Sequence, residues 1–301
     1  MATKETTFSD RLVALAVRAV IGALKLLPYR WRVPLMGKIT AHVVAPLAGW
    51  RKRVRDNLAH VCPELPAEEV ERMTRAVPDN AGRSLMELFS GEAFKAHVRD
   101  TPLSGPGVAA LKEAHELGRP VILVTAHFGN YDAPRTVLFA QGHPLAALYR
   151  PMRNEGFNLR YIEAMSRIGT PVFPTTRKGV LGFVNHLKAG QTVGLLVDVY
   201  AWGGAPVTFF GKTAPTATSA AAWALKYDAL LVPIYGLRKP NGLDFDVVVE
   251  EPIAHSDPVT MTQALNDNLE SVVRRHMDQW FWIHRRWKPH IRQATVADRG
   301  A

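Results

Sequence analysis

From residue 105 onward, short apolar runs alternate with longer amphipathic runs, and this rhythm restricts the possible folds more than any other feature of the chain. The apolar runs fall at 120–125, 145–149, 171–173, 192–199, 230–235 and 244–250. Helical spacing falls near 107–117, 131–141, 155–168, 178–189, 216–227 and 260–279. Runs too short for buried helices, separated by amphipathic segments long enough for crossovers, predict an α/β fold with a mostly parallel central sheet flanked by helices. In such sheets ligands bind beyond the carboxyl ends of the strands. The chemistry is therefore expected just after residues 125, 149, 173 and 199.

The chain ahead of this region reads differently. Residues 57–100 are helical in pattern, with Ala81, Leu85, Met86, Leu88 and Phe89 at three- and four-residue spacing. Near the N-terminus, Lys4, Arg11, Arg18 and Lys25 recur every seven residues, almost two helical turns, and so form one slowly drifting stripe. Leu12, Val13, Leu15, Val17, Val20, Ile21, Leu24 and Leu27 fill the remaining surface. The charges cut the apolar runs far below the ~20 residues needed to cross a bilayer and interrupt any signal-peptide core. A helix lying in the lipid interface is expected, its cations toward anionic headgroups, against a helix packed on the domain. A second apolar stretch, 33–50, ends in the basic cluster 51–55. The expected organisation is an N-terminal helical membrane-surface region, 1–100, and an α/β core, 101–301, forming one continuous domain.

Charge and cysteine usage narrow the classes. Lys and Arg number 37 against 27 Asp and Glu, for a net charge of +10. Such a field attracts nucleic acid, anionic lipid or an acidic protein. Nucleic-acid binding predicts aromatic residues interleaved with cations, and that interleaving is missing. Cys62 is the single cysteine, so a cysteine-rich zinc site and an intrachain disulfide are both excluded. It reads as a small buried hydrophobe.

The most informative strand end is the first. Val121-Ile122-Leu123-Val124-Thr125 runs into His127-Phe128-Gly129-Asn130-Tyr131-Asp132. Gly129 and Asn130 suit a turn, and Asp132 falls in the first turn of the next helix, where its charge suits the dipole. A carboxylate on one imidazole nitrogen fixes the tautomer and frees the other nitrogen to accept a proton. Backbone N–H groups around Gly129 and Asn130 are candidate oxyanion donors. A lone His-x4-Asp also lacks the ligand set of a zinc or two-metal centre, so no metal and no cofactor are expected.

At these residues the chain resembles the bacterial lipid A biosynthesis acyltransferases, the lauroyl and myristoyl transferases. HFGNYD at 127–132 matches the family pattern of His, any residue, Gly, Asn, an aromatic, then an acid. Tyr149-Arg150-Pro151 with Asn154, Phe209-Phe210-Gly211-Lys212 through Thr216-Ala217-Thr218, and Trp282-Ile283-His284-Arg285-Arg286-Trp287-Lys288 match further segments in order. The similarity spans roughly residues 50–290. Asp198 stands where many members carry an acid, but Val199-Tyr200 lacks the second polar partner that often follows.

The resemblance implies a glycerolipid-acyltransferase-like fold and an O-acyltransferase that needs no covalent acyl-enzyme. It implies His127 as general base, Asp132 as its orienting carboxylate, Arg150 and Arg177 as phosphate contacts, and Asp198 facing the same cleft. Asn154 joins the substrate-binding set. Arg285 and Arg286 either bind phosphate or brace the sheet. The implied donor is acidic acyl carrier protein or acyl-CoA. The implied acceptor is a phosphorylated glycolipid at the cytoplasmic face of the inner membrane. The rivals are a phosphoinositol-mannoside acyltransferase and a glycerophospholipid acyltransferase. Of the latter's Phe-Pro-Glu-Gly-Thr-Arg segment, Phe173-Pro174-Thr175-Thr176-Arg177 is an incomplete echo.

Overall fold

A computed structural model describes residues 8–152 and 154–288. Lys4 and the side chain of Arg11 lie outside what is described, so the seven-residue stripe is visible only at Arg18 and Lys25, both exposed. The N-terminal helices are α1 (Phe8–Leu24), α2 (Tyr29–Ile39), α3 (Ala45–Leu47), α4 (Trp50–Val61), α5 (Ala67–Ser90) and α6 (Glu92–Val98), with a π turn over Thr40–Val44 between α2 and α3. The α/β part then runs β1 (Leu103–Ser104), α7 (Val108–Glu116), β2 (Val121–Thr125), α8 (Asp132–Ala140), β3 (Leu145–Tyr149), α9 (Glu155–Ile168) and β4 (Val172–Pro174). It continues through α10 (Arg177–Lys188), β5 (Thr192–Leu196), the hairpin β6 (Thr208–Phe209) and β7 (Lys212–Thr213), α11 (Ser219–Tyr227), β8 (Leu230–Arg238), β9 (Phe245–Val249) and α12 (Pro258–Arg275).

The central sheet has seven strands in the order β1-β9-β8-β2-β5-β3-β4. All neighbours are parallel except β8 and β9, which pair antiparallel. The mostly parallel α/β expectation therefore holds. β2 is buried along its whole length, as a central strand covered on both faces must be. Its register with β5 sets Thr125 opposite Leu196, so the chains leaving these two strands depart side by side. β5 ends at Leu196, three residues earlier than the apolar run suggests, because Val197-Asp198-Val199 already belongs to the loop at the site.

The N-terminal helices are not a separate shell. Val54, Leu58 and Val61 of α4 and Met73 and Val77 of α5 share one core cluster with Phe128, Phe209, Trp280, Trp282 and Trp287. Cys62 is buried in the same cluster, and burial pushes its thiol up to about 11, which suits the hydrophobe reading. α2 crosses α5 closely: a Cβ added at Gly82 would meet the Met36 carbonyl oxygen at 2.7 Å. α1 splits its apolar surface. Val17, Val20, Ile21 and Leu24 pack against Val33, Met36 and Met86, while Leu15 is exposed. Beside it, at the α1–α2 corner, Leu26, Leu27, Trp31 and Leu35 also stand exposed. No described helix is long and apolar enough to cross a membrane.

Candidate active site

His127 is the second residue beyond β2, and Asp198 is the second beyond β5. The parallel register that sets Thr125 against Leu196 brings these two residues together. His127 Nδ1 lies 2.9 Å from Asp198 Oδ1, and the His127 backbone N–H donates to Asp198 Oδ2 at 2.9 Å. Trp280 Nε1 donates to the same Oδ2 at 3.0 Å. Asp198 is fully buried; burial alone would raise its pKa, but the charge and hydrogen bonds of His127 outweigh it and hold the carboxyl well below its usual range. The ionised carboxylate fixes the imidazole through Nδ1 and leaves Nε2 for proton transfer.

Two expectations about this loop are corrected. Asp132 does not orient the imidazole: that position belongs to Asp198. The turn before α8 sends the Asp132 side chain under the helix instead, beside Arg135 (3.8 Å), into a small cavity that Thr125, Leu145 and Met165 also line. Burial there pushes its carboxyl up to about 6, against the pull of Arg135. Nor are the N–H groups of Gly129 and Asn130 free for an oxyanion. Gly129 N–H donates to the Gln279 carbonyl and Asn130 N–H to the Gly236 carbonyl, both at 2.9 Å. These bonds weld the loop into the fold, and Asn130 Oδ1 closes it by accepting from the Asp132 N–H at 2.8 Å.

Gly129 is required twice over. Its φ is +52°, a region L side chains rarely adopt, and a Cβ there would lie 1.9 Å from the Gly236 oxygen. From below, α5 holds the same loop. Ser84 Oγ and Asn80 Nδ2 donate to the Gly129 carbonyl, at 2.9 and 3.1 Å. Buried Glu87 accepts from Asn130 Nδ2 at 2.7 Å and pairs with Arg238 of β8 at 2.8 Å. None of this clamp was anticipated from sequence, since its members are scattered over α5 and β8 with no local motif.

The carboxyl-terminal segment closes the site from the other side. Phe281 N–H donates to the His127 carbonyl at 2.9 Å, and Phe128 bridges to Trp280. His284 sets its ring edge-on against His127, with centroids 4.4 Å apart and planes at 79°. The choice left open for Arg286 resolves to bracing: it is 1% exposed and donates to the carbonyls of Val199 and Pro215 and to Thr216 Oγ1. Arg285 is exposed.

A cavity of about 160 Å³ opens beside His127, walled by Ala81, Leu85, Leu88, Tyr131, Tyr161 and Phe281 among others. Its wall is largely apolar. Arg150, Asn154 and Arg177 do not line it. Arg150 and Arg177 are exposed just beyond β3 and β4, and Asn154 caps α9 by accepting from the Phe157 N–H. Asn154 instead lines a larger groove of about 650 Å³ between α1 and α9, rimmed by Arg18, Lys25 and Arg160. Ligand atoms of His127, Asp198 and His284 come within 4.8 Å of one another, a spacing that a divalent cation could span. Both Asp198 oxygens are already taken by three donors, however, so the set fits a hydrogen-bonded base better than a metal site.

The fold and this pair define an α/β protein with a carboxylate-held histidine at the ends of two parallel strands, a general-base arrangement. The family model described as bacterial lipid A biosynthesis acyltransferase matches residues 3–289, and the chain belongs to that family. It is similar to the lipid A biosynthesis lauroyltransferase of Escherichia coli, 25% identical over 79% of this chain and 78% of that one. It is likewise similar to a lipid A biosynthesis acyltransferase of Haemophilus influenzae, 23% identical over 86% and 82%. The phosphatidylinositol mannoside acyltransferase of Mycolicibacterium smegmatis is 24% identical over 79% and 80%.

Proposed function

We propose that the chain moves a fatty acyl group from a thioester, on acyl carrier protein or coenzyme A, onto a hydroxyl of a lipid A precursor or related glycolipid. The observation that carries this reading is His127, held by the buried Asp198 and opening onto an apolar-walled cavity, in a chain of this family. The acceptor hydroxyl gives its proton to His127 Nε2 as its oxygen attacks the thioester carbonyl. The tetrahedral intermediate then expels the thiolate, which takes the proton from the imidazolium. Asp198 stabilises that imidazolium and stays ionised. The carrier's acidity matches the net charge of +10. The exposed apolar corner at Leu26 and Trp31, with Arg18 and Lys25 nearby in sequence, suits a peripheral position on the cytoplasmic leaflet of the inner membrane.

The Mycolicibacterium relative supports a second acceptor, a phosphatidylinositol mannoside. Incubation with acyl carrier proteins and acyl-CoAs of several chain lengths, against a lipid A precursor, a phosphatidylinositol mannoside and glycerol 3-phosphate, is read by mass spectrometry. An acylated glycolipid is expected. Acylation of glycerol 3-phosphate alone, or of nothing, overturns the reading.

A further inference from the structure

The reaction proposed above places negative charge on the thioester carbonyl oxygen, and a water-excluding site must meet that charge with a hydrogen-bond donor. In the loop after β2, the Gly129, Asn130 and Asp132 N–H groups all donate within the fold and are not free for that oxygen.

We propose that His284 is that donor, binding the acyl carbonyl oxygen through Nε2–H as the acceptor hydroxyl attacks. Four observations converge on this residue. Its Nε2 is buried and has no hydrogen-bond partner among the described residues, an arrangement that costs free energy unless a ligand completes it. Its ring centre is 4.4 Å from that of His127. The proposal sets the carbonyl oxygen between the two rings, with the hydroxyl about 2.8 Å from the base and the attacked carbon about 3 Å further on. The ring is held in place: Phe281 packs edge-on against it at 4.7 Å, and the His284 carbonyl accepts from Asn57 of α4 at 2.8 Å. Burial, then the neighbouring His127, push its pKa down to about 4, so it stays neutral when His127 takes the proton and two imidazolium ions never face each other.

The step balances. The C–O bond forms as the hydroxyl proton passes to His127, the electron pair of the carbonyl collects on oxygen against His284, and its return breaks the C–S bond. The proton then leaves His127 for sulfur, and His284 ends the cycle in its starting state.

The test compares wild type with His284→Phe, which keeps a ring without a donor, His284→Gln, which keeps an N–H donor, and His284→Leu, which matches glutamine in size without one. Steady-state kinetics use whichever acyl thioester and glycolipid the wild type turns over, with thermal unfolding run alongside. The expected result is a 10²–10³-fold fall in kcat for Phe and Leu, the range for losing one such donor. KM should change little, because the bond strengthens only in the transition state. Glutamine should recover at least about tenfold over leucine. If the phenylalanine variant does not fold, glutamine against leucine decides. A folded variant without a donor that retains wild-type kcat, a glutamine variant no better than leucine, or a loss confined to KM overturns the assignment of His284. A wild type that transfers no acyl group to any acceptor overturns the reaction itself, a separate outcome.

Discussion

His127 and Asp198 are joined twice, by Nδ1 to Oδ1 and by backbone N–H to Oδ2, each at 2.9 Å. One carboxylate thus fixes both the ring and the peptide that carries it. Asp198→Asn keeps the shape but offers one acceptor oxygen where three donors converge, and its NH₂ must face one of them. A fall in kcat of about 10²–10⁴-fold is expected, with KM little changed. Turnover and melting temperature, measured together, check it; near-wild-type kcat counts against the pair.

His127→Ala removes the base and leaves the loop's backbone bonds in place. Transfer should fall about 10²–10⁴-fold with a circular dichroism spectrum like that of wild type. Saturating chelator should leave the wild-type rate unchanged. Loss in chelator with rescue by a divalent ion would move the chemistry to a metal held by His127, Asp198 and His284.

Asp132 has a different defect in store. Asp132→Asn leaves the Arg135 guanidinium, 5% exposed, without its carboxylate. An uncompensated buried charge costs about 3–5 kcal/mol, so unfolding should move to lower denaturant. At permissive temperature its kcat should fall less than that of Asp198→Asn. The opposite ranking would return Asp132 to the imidazole.

The Glu87–Arg238 pair carries a non-additivity prediction. Arg238→Met strands a buried Glu87 and should cost about 3–5 kcal/mol. Adding Glu87→Leu should restore part of it. Urea unfolding of the four proteins measures the coupling; additive losses would show that the pair is not a unit.

The neutral His284 predicts a pH dependence. Its native pKa, about 4, lies below the ~6.5 of an unfolded histidine, so the unfolded chain binds more protons between these values. The native state therefore loses stability as pH falls from about 6.5 to 4, on the order of 2–3 kcal/mol from this group. His284→Phe should flatten that slope. His115, also pushed down to about 4 by burial and then His143, should leave a residual slope in the variant. Melting temperatures across this window decide; parallel curves refute it.

At the α1–α2 corner, Leu26 is 87% and Trp31 61% exposed. Leu26→Ser with Trp31→Ala should weaken binding to anionic and neutral vesicles alike. Arg18→Gln with Lys25→Gln should weaken the anionic case selectively, by about 1 kcal/mol per charge, and high salt should mimic it. Co-sedimentation separates the two effects. Equal binding of all variants would leave the corner without a membrane role.

The sequence exposed most of the fold because central parallel strands must be apolar throughout and their crossovers amphipathic. β3 and α9 coincide with their apolar and helical runs. β1 and the β6–β7 hairpin, two residues per strand, carry no periodicity to read. β8 extends to Arg238 because Gly236 breaks the apolar pattern without breaking the strand. α12 begins at Pro258 behind an Asp257 cap, a local signal that was there to be read. His127 stood out by its place after a buried strand. Its partner did not, because nearness along the chain favours Asp132, whereas the β2–β5 register that delivers Asp198 across 71 positions is set by the whole sheet.

The bridge from Phe128 to Trp280 gives the enzyme a temporal property. The base comes from residue 127, its carboxylate from residue 198, and the segment fastening both from residues 280–284. During synthesis the sheet can begin to form long before that segment leaves the ribosome, yet the catalytic geometry cannot. A nascent chain stalled before Trp280 would present its N-terminal helices with no completed centre behind them. A premature stop a few residues short of the aromatic cluster should therefore be as inert as one in the middle of the gene.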